Sequence, residues 1–166
     1  MKFGNVNLGG LKKLQQKLNA VTQADMDAFL TACAKELAAR LLRDVIRNTP
    51  VGQYPKGSGK TGGTLRRGWT AKTHEEAVGG HGSGLSNVED FLNGITITHE
   101  GNVYRLEIIN PVEYAPYVEY GHRTPDHKGW VQGRFMLTLA ESHIQQISEK
   151  LLAQRLKTFL EGYFKP

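Results

Sequence analysis

The stretch that decides the fold is Asn110–Leu137, which reads NPVEYAPYVEYGHRTPDHKGWVQGRFML. Its opening Asn-Pro pair predicts the end of a strand, because the residue before a proline is disfavoured in the α region. Tyr114 and Tyr117 follow three positions apart, which is the spacing of one face of a helical turn. Gly121 is typical of the residue just beyond a helix end, and the polar residues 122–133 then predict a loop.

One long amphipathic helix is predicted before this stretch and another begins at its end. The first starts at a capping arrangement of Thr22 and Asp25 and ends at about Asn48, because a Thr-Pro pair follows. The second covers residues 135–163, where apolar residues recur at helical spacing. The buried stripe of the first helix is predicted to contain Met26, Leu30, Cys33, Leu37, Leu41 and Val45.

Shorter elements are predicted between the two long helices. Ile95–Thr98 and Val103–Ile109 are rich in β-branched residues and flank a Gly-Asn turn, which predicts a β-hairpin. A helical turn at Thr64–Trp69 is expected to lead into a further strand. A capping box predicts a short helix at Asn87–Leu92.

Together these elements predict an α+β fold class. We expect a small antiparallel sheet of at least three strands, packed against the two long amphipathic helices around a single core. Residues 1–166 are interpreted as one domain, with an N-terminal helical arm at residues 1–22 and flexible loops at 51–63 and 76–86.

The composition is that of an ordinary globular domain, with 39% hydrophobic and 22% charged residues. No apolar run approaches the length of a membrane span, and the amino terminus lacks the apolar segment of a signal peptide. The single cysteine, Cys33, excludes an internal disulfide and gives no reason to look outside a reducing compartment. The composition therefore indicates a cytoplasmic protein that makes no use of a membrane.

Positive charge is concentrated in one part of the chain. The formal net charge is +5, and no acidic residue occurs between Asp44 and Glu75. Two interpretations remain open: a flexible solvated loop, or a basic arm that touches DNA or an acidic partner surface. The basic residues of this window are Arg47, Lys56, Lys60, Arg66, Arg67 and Lys72.

The residue patterns that suggest chemistry are incomplete. Gly57–Thr61 resembles part of a phosphate-binding loop, but Tyr54 stands where that pattern requires its first glycine. His122 and His127 fall short of the three or four converging ligands of a zinc site, and Cys33 lies on a predicted buried stripe, where a thiol is inert. We therefore predict no catalytic, cofactor-binding or metal-binding residue.

Three motifs carry a resemblance to a known family. They are N-T-P-V from Asn48, T-L-R-R-x-W from Thr64, and N-P-V-x-Y-A-x-Y-V-E-x-G from Asn110. In this combination the chain resembles, over roughly residues 24–160, the minor tail components of long-tailed bacteriophages typified by gene product ten of phage HK-ninety-seven. It departs from the family pattern at Gly52–Lys60, which is inserted before the second motif.

The resemblance implies a function in the virion. Members of the family are similar to tail-completion or head-to-tail joining proteins, which are non-enzymatic parts of the neck. It implies assembly in the host bacterial cytoplasm, a cyclic ring, hexameric by resemblance, and partners in the tail tube or its terminator and in the head connector. DNA contact in the ring lumen is a further expectation. The alternative hypothesis is a small nucleic-acid-binding module that uses the basic residues 47–72.

An assembly interface is the remaining prediction. Tyr114 and Tyr117 are assigned to the core, and Glu113 and Glu119 are assigned to the surface. Arginine and aromatic residues are enriched at interface cores, and the two arginines that follow Leu65 are expected to point away from the core. The predicted interface residues are Arg66, Arg67, Tyr120, Arg123, Trp130, Arg134 and Met136.

Overall fold

The computed structural model describes residues 15–70, 95, 97–101 and 103–164. Within the predicted N-terminal arm, residues 15–19 form a short helical segment. The helices and strands that follow are α1 (Gln23–Asn48), α2 (Thr64–Gly68), β1 (Thr98–Glu100), β2 (Val103–Arg105), α3 (Ala115–Tyr120), β3 (Gly121–Arg123), β4 (Trp130–Gln132) and α4 (Met136–Phe164).

The predicted α+β fold class is confirmed, as are both long helices. Three predictions fall outside the described residues: most of the strand expected after α2, the loop at 76–86 and the short helix at Asn87–Leu92. The first fourteen residues of the predicted arm also lie outside them.

The start of α1 is set by a reciprocal pair of hydrogen bonds. The Thr22 hydroxyl oxygen accepts from the Asp25 amide at 3.1 Å, and the Asp25 carboxylate accepts from the Thr22 amide at 3.0 Å. This is a capping box, which satisfies two of the amide groups that a helix start leaves without partners. Hydrogen bonds from Thr22 lower the pKa of the Asp25 carboxyl below its usual value. The predicted start of the helix is therefore confirmed in its mechanism.

Helices α1 and α4 pack along one another and form the main body of the fold. Near the start of α1, Phe29 stacks on Phe159 with a ring-centroid distance of 4.6 Å. Farther along, the Glu36 carboxylate forms ion pairs with Arg40 of its own helix and with Arg155 of α4. The buried core contains Ala38, Leu42, Val45, Leu65, Trp69, Ile95, Ala115, Met136 and Ala140.

The predicted buried stripe of α1 is partly wrong. Cys33 and Val45 are buried as expected, but Leu37 and Leu41 are only half-buried, and Ala38 and Leu42 are buried in their place. The shift by one position, about 100° around the helix, is thus confined to the middle of the stripe. Towards the start of the helix, Leu30 is exposed and Met26 is half-buried. Apolar residues cover a wide arc of α1, so its sequence leaves open which part of that arc meets α4.

The strands form two separate hairpins. In the first, β1 and β2 pair antiparallel with Thr98 opposite Arg105, around the predicted turn, and the Tyr104 hydroxyl donates to Asp27 of α1 at 3.1 Å. In the second, β3 and β4 pair with Arg123 opposite Trp130. The described strands form two two-stranded sheets. The third strand expected after α2 lies mostly outside the described residues, and its first residue, Thr70, forms an antiparallel bridge with Ile109.

The three sequence motifs meet at one place in the fold. Thr49, in the first motif, is completely buried and follows the last residue of α1. The indole N–H of Trp69, in the second motif, donates to its hydroxyl at 2.7 Å. The Asn110 amide, in the third motif, donates to the Leu65 carbonyl at 2.8 Å. Segments far apart in the sequence thus hold the end of α1, α2 and the start of the Asn-Pro turn together.

Candidate assembly surface

Helix α3 and the residue that precedes it, Tyr114, turn three tyrosines away from the core. Ala115 and Glu119, four positions apart, are buried. Tyr114, Tyr117 and Tyr120 recur every three positions on the opposite face, and all three are exposed. The assignment of Tyr114 and Tyr117 to the core is therefore wrong. The helix is short, and its small Ala115 lets the backbone approach the core while the large rings remain outside.

Glu119 joins α3 to the start of α4. Its carboxylate accepts from the backbone amides of Leu137 and Thr138, each at 3.0 Å, and from the Thr138 hydroxyl at 2.8 Å. A carboxylate is favoured at a helix N-terminus because the amides there lack partners and carry partial positive charge. Glu119 is 6% exposed, so its assignment to the surface is wrong. It serves as a cap donated by another helix.

The chain then forms a hairpin where a loop was predicted. Gly121 has φ 88° and ends α3, as expected from the sequence. A side chain at this position would also meet the Val131 carbonyl oxygen at 2.5 Å, so β4 can lie against it only because it is glycine. The turn between the strands is closed by Thr124, whose hydroxyl accepts from the Gly129 amide at 2.9 Å. A hydrogen bond from Thr124 also lowers the pKa of the Asp126 carboxyl.

Strand β4 is exposed along its whole length. The Trp130 indole nitrogen lies close to Gly121, at the junction of α3 and β3, and Val131 is also exposed. The Tyr117 ring meets the His122 ring edge to face, with 6.0 Å between centroids. We define the aromatic surface as Tyr114, Tyr117, Tyr120, Trp130 and Val131.

Several predicted interface residues border this surface. Tyr120 and Trp130 belong to it, and Arg123 is exposed opposite Trp130 in the hairpin. Arg134 is also exposed, while its backbone amide donates to the Val118 carbonyl at 2.8 Å. Met136 has to be removed from the prediction. It has no exposed area and lies in the core at the start of α4.

Arg66 and Arg67 lie elsewhere and differ from each other. The Arg66 Nε and Nη2 atoms donate to the Thr49 carbonyl at 3.0 and 2.6 Å, and the side chain is partly buried. Arg66 therefore satisfies a carbonyl that has no partner within the helix, at the C-terminal end of α1, where a cation is favoured. The expectation that it points to solvent is wrong. Arg67 is exposed, as expected, with Nη1 at 3.4 Å from the Gly62 carbonyl oxygen.

The described part of the chain offers little for catalysis or ion binding. None of its His, Cys, Asp and Glu side chains form a group of three that could hold a metal ion. Burial raises the pKa of the Cys33 thiol, which lowers the fraction of the reactive thiolate form. An apolar groove of about 180 Å³, lined by α1, α4 and the segment that follows β2, has Glu141 as its single ionisable lining residue. None of the described helices is both long and apolar enough to cross a membrane.

The residues that sequence reasoning missed carry a partial signal. The three tyrosines of α3 share one face, and Ala115, Val118 and Glu119 share the other. The spacing is compatible with an exposed tyrosine face, but that interpretation would have placed the Glu119 carboxylate on the buried face. Glu119 finds its partners 18 and 19 positions away, so no local pattern could reveal its function.

Comparison with family models finds one described as "Bacteriophage HK97-gp10, putative tail-component", which matches residues 12–121. The matched range covers more than half of the chain and includes all three contacting motifs and α3. It ends at Gly121, where β3 begins. Neither the curated proteins nor the solved structures give a match.

Proposed function

The chain belongs to the HK97-gp10-like family of bacteriophage tail components, and from this premise we propose that it is a tail-completion or neck subunit. In this function it joins the tail tube, or its terminator, to the head connector of the virion. The function is structural and requires no catalytic group. Family membership supports the tail; the more specific position in the neck rests on the resemblance of the sequence motifs.

The observation that carries the proposal is the aromatic surface. Tyr117, Tyr120 and Trp130 are each about 60% exposed, although large aromatic rings bury favourably. Aromatic and arginine side chains are typical of the cores of protein–protein interfaces, and Trp, Tyr and Arg dominate the energetic hot spots there. Arg123 and Arg134 border the rings. The composition of this surface is thus that of an assembly contact.

The backbone beneath the α3 rings is held by hydrogen bonds to the start of α4. The Glu119 carboxylate accepts from the first amides of α4, and the amides of Arg134 and Phe135 donate to the Val118 and Glu119 carbonyls at 2.8 and 3.0 Å. Little conformational freedom of the backbone would be lost on binding, and such preorganisation increases affinity.

A closed ring places further demands on this surface. Cyclic symmetry with more than two copies uses head-to-tail contacts, in which one surface meets a different surface of the neighbouring copy. In the proposed ring the aromatic surface of one subunit therefore contacts a non-identical surface of the next. A hexamer is the stoichiometry that the family resemblance implies.

The test is complementation of a phage that lacks this gene, together with cross-linking in purified particles. The variant Tyr120→Ser/Trp130→Ser should fold normally, because both side chains are exposed, and should yield few infectious particles. Cross-links between copies should disappear from the particles that do form. Normal infectivity of this variant would remove the aromatic surface from the function.

A matched control is available in Val103→Ser/Leu156→Ser. These side chains are 56% and 41% exposed and lie outside the aromatic surface, so the control reports what losing any two exposed apolar residues does. It should complement fully. If both variants fail equally, general loss of apolar surface rather than a specific contact explains the defect.

The alternative predicted from the basic window was a separate nucleic-acid-binding module. Family membership favours a tail component over that class. Contact with DNA by the basic window is compatible with a tail component, and it requires evidence of its own.

A further inference from the structure

The loop after α1 is closed at its base by two glycines. A β-carbon added to Gly62 would collide with the carbonyl oxygen of Gly52 and lie 3.2 Å from the carbonyl carbon of the same residue. The two backbones therefore touch, and residues 53–61 leave and return at nearly the same point. All nine are exposed. This arrangement is that of an Ω-loop, a class of surface loop that is often functional. We refer to residues 53–61 as the basic loop.

The base of the basic loop is held firmly to the core. Thr49, three positions before Gly52, has no exposed area. Its carbonyl accepts two hydrogen bonds from Arg66 and its hydroxyl accepts one from Trp69. The base of the loop therefore has a defined position relative to the core, although residues 53–61 themselves are exposed.

The charged residues of the basic loop and of the chain segment around it are all positive. Lys56 and Lys60 lie within it, the Arg67 guanidinium lies beside its base, and Arg47 is exposed in the last turn of α1. Residues 45–74 contain no Asp or Glu that could neutralise these cations within the segment. The Lys60 ammonium lies 5.9 Å from the centroid of the Tyr54 ring. Arg66 is not counted among the ligand-binding residues, because its Nε and Nη2 atoms already donate to the Thr49 carbonyl.

The chemistry of the loop tip favours a nucleic-acid phosphate backbone over a protein as its ligand. Its sequence, Lys-Gly-Ser-Gly-Lys, presents cations, a hydroxyl and backbone amides without a large aliphatic side chain. Phosphate contacts in protein–DNA complexes are made by these groups, whereas protein interface cores are depleted of lysine and serine. Gly57 and Gly59 have positive φ and open space around them, so the backbone can approach a ligand closely.

We propose that the basic loop, together with Arg67, binds the phosphate backbone of duplex DNA without reading its sequence. The inference does not depend on ring formation, since a single subunit carries all the residues involved. Sequence-independent binding of this kind is electrostatic, so its affinity should fall steeply as salt concentration rises.

The test is fluorescence anisotropy of the isolated full chain with a labelled random-sequence duplex, over a series of salt concentrations. The variant Lys56→Gln/Lys60→Gln/Arg67→Gln should weaken binding roughly tenfold or more at low salt. The negative slope of log affinity against log salt should become shallower by about 2–3, because each lost phosphate contact reduces its magnitude by about 0.9. Absence of binding by the unaltered protein at low salt would overturn the proposal.

A charge-matched control separates the loop from net charge. The variant Arg43→Gln/Lys128→Gln/Lys150→Gln also removes three positive charges, from exposed positions in α1, the β3–β4 turn and α4. It should keep the slope of the unaltered protein. An equal loss in both variants would mean that DNA responds only to overall charge, which would overturn a contact by the loop.

A second variant removes the loop as a unit. Deleting Gln53–Thr61 joins Gly52 to Gly62, whose backbones already touch, so the thermal midpoint should stay near that of the unaltered chain while DNA binding is lost. Unchanged binding by this deletion would contradict the proposal. The same assay with polyglutamate as competitor tests an acidic protein partner: if polyglutamate displaces the duplex at lower charge concentration than unlabelled DNA, the loop recognises acidic protein instead.

Discussion

Trp69 and Trp130 are the two tryptophans of the chain, and they lie in regions of opposite character. Trp69 is 4% exposed, and its indole N–H donates to the buried Thr49 hydroxyl. Trp130 is 58% exposed, on a strand whose three residues are all exposed. The first region joins the three sequence motifs, and the second carries the aromatic surface.

Both regions nevertheless use the same means of support. In each, a charged side chain from a distant segment satisfies one end of a long helix: Arg66 at the C-terminal end of α1 and Glu119 at the N-terminal end of α4. The signs match the partial charges of the helix ends. The regions differ in their aromatic residues, which turn inward in the first and outward in the second. A well-supported backbone with unburied aromatic rings is the arrangement on which the proposed assembly contact depends.

The largest difference should appear when each tryptophan is replaced. Trp69→Ala is expected to lower the free energy of unfolding by about 3–5 kcal/mol, since it leaves a large cavity in the core. Trp130→Ala should change it by no more than about 0.5 kcal/mol, because an exposed side chain contributes little. Urea denaturation of both variants measures the contrast. Similar losses in the two would mean that Trp130 is part of the core.

Next in size is the cap that Glu119 provides to α4. Glu119→Ala should lower the free energy of unfolding by about 1–3 kcal/mol, because two partly buried amides at the start of α4 and the Thr138 hydroxyl lose their charged acceptor. The matched control is Glu113→Ala, which removes an exposed carboxylate from the segment just before α3 and should have almost no effect. Equal thermal midpoints for the two variants would show that Glu119 does not hold α4.

A smaller contrast is expected between two neighbouring arginines. Arg66→Ala should cost about 1–2 kcal/mol, since its two hydrogen bonds to the Thr49 carbonyl are made by a charged donor that is only partly buried. Arg67→Ala should leave stability unchanged within about 0.5 kcal/mol. Thermal melting of both proteins is the measurement, and a loss confined to Arg67 would reverse the assignment.

The smallest effect concerns pH and the contact between α1 and α4 that supports both regions. Hydrogen bonds from Arg40 and Arg155 lower the pKa of Glu36 below its ordinary value of 4.5. A carboxyl whose pKa is lower in the folded state stabilises the fold above its unfolded value, and that contribution is lost as the pH falls through the folded pKa. The stability difference between the unaltered protein and Glu36→Gln should thus shrink below about pH 4.5. A difference independent of pH between 7 and 3 would contradict the ion pair; urea midpoints across that range provide the measurement.

Sequence reasoning succeeded where the decisive contacts are local. The start of α1 depends on Thr22 and Asp25, which are three positions apart, and the end of α3 depends on Gly121. Both were predicted with their mechanism. The hairpin of β1 and β2 was also predicted, because its turn and its alternating residues are adjacent in the chain. Its bounds were not: β1 begins at Thr98, where the expected strand ends, and β2 ends at Arg105 instead of Ile109.

The candidate site was predicted only in part, for a reason that the residues make plain. Tyr120, Arg123, Trp130 and Arg134 were identified by type and are exposed. Met136 was predicted to lie in the interface with them, but it is buried, since it falls on the inner face at the start of α4. Residue type alone does not state which side of a helix meets the core.

The sequence by itself determined the class of fold, the extent of the long helices and the family, because each depends on spacing and on motifs that can be read along the chain. Tertiary structure alone decided that Arg66 and Glu119 are internal supports, and that the tyrosines of α3 face outward. The partners of Arg66 and Glu119 lie 17 to 19 positions away. The unpaired groups at a helix end can be satisfied by any suitably charged side chain that reaches them. Which side chain does so depends on how α1, α3 and α4 are arranged in the folded protein.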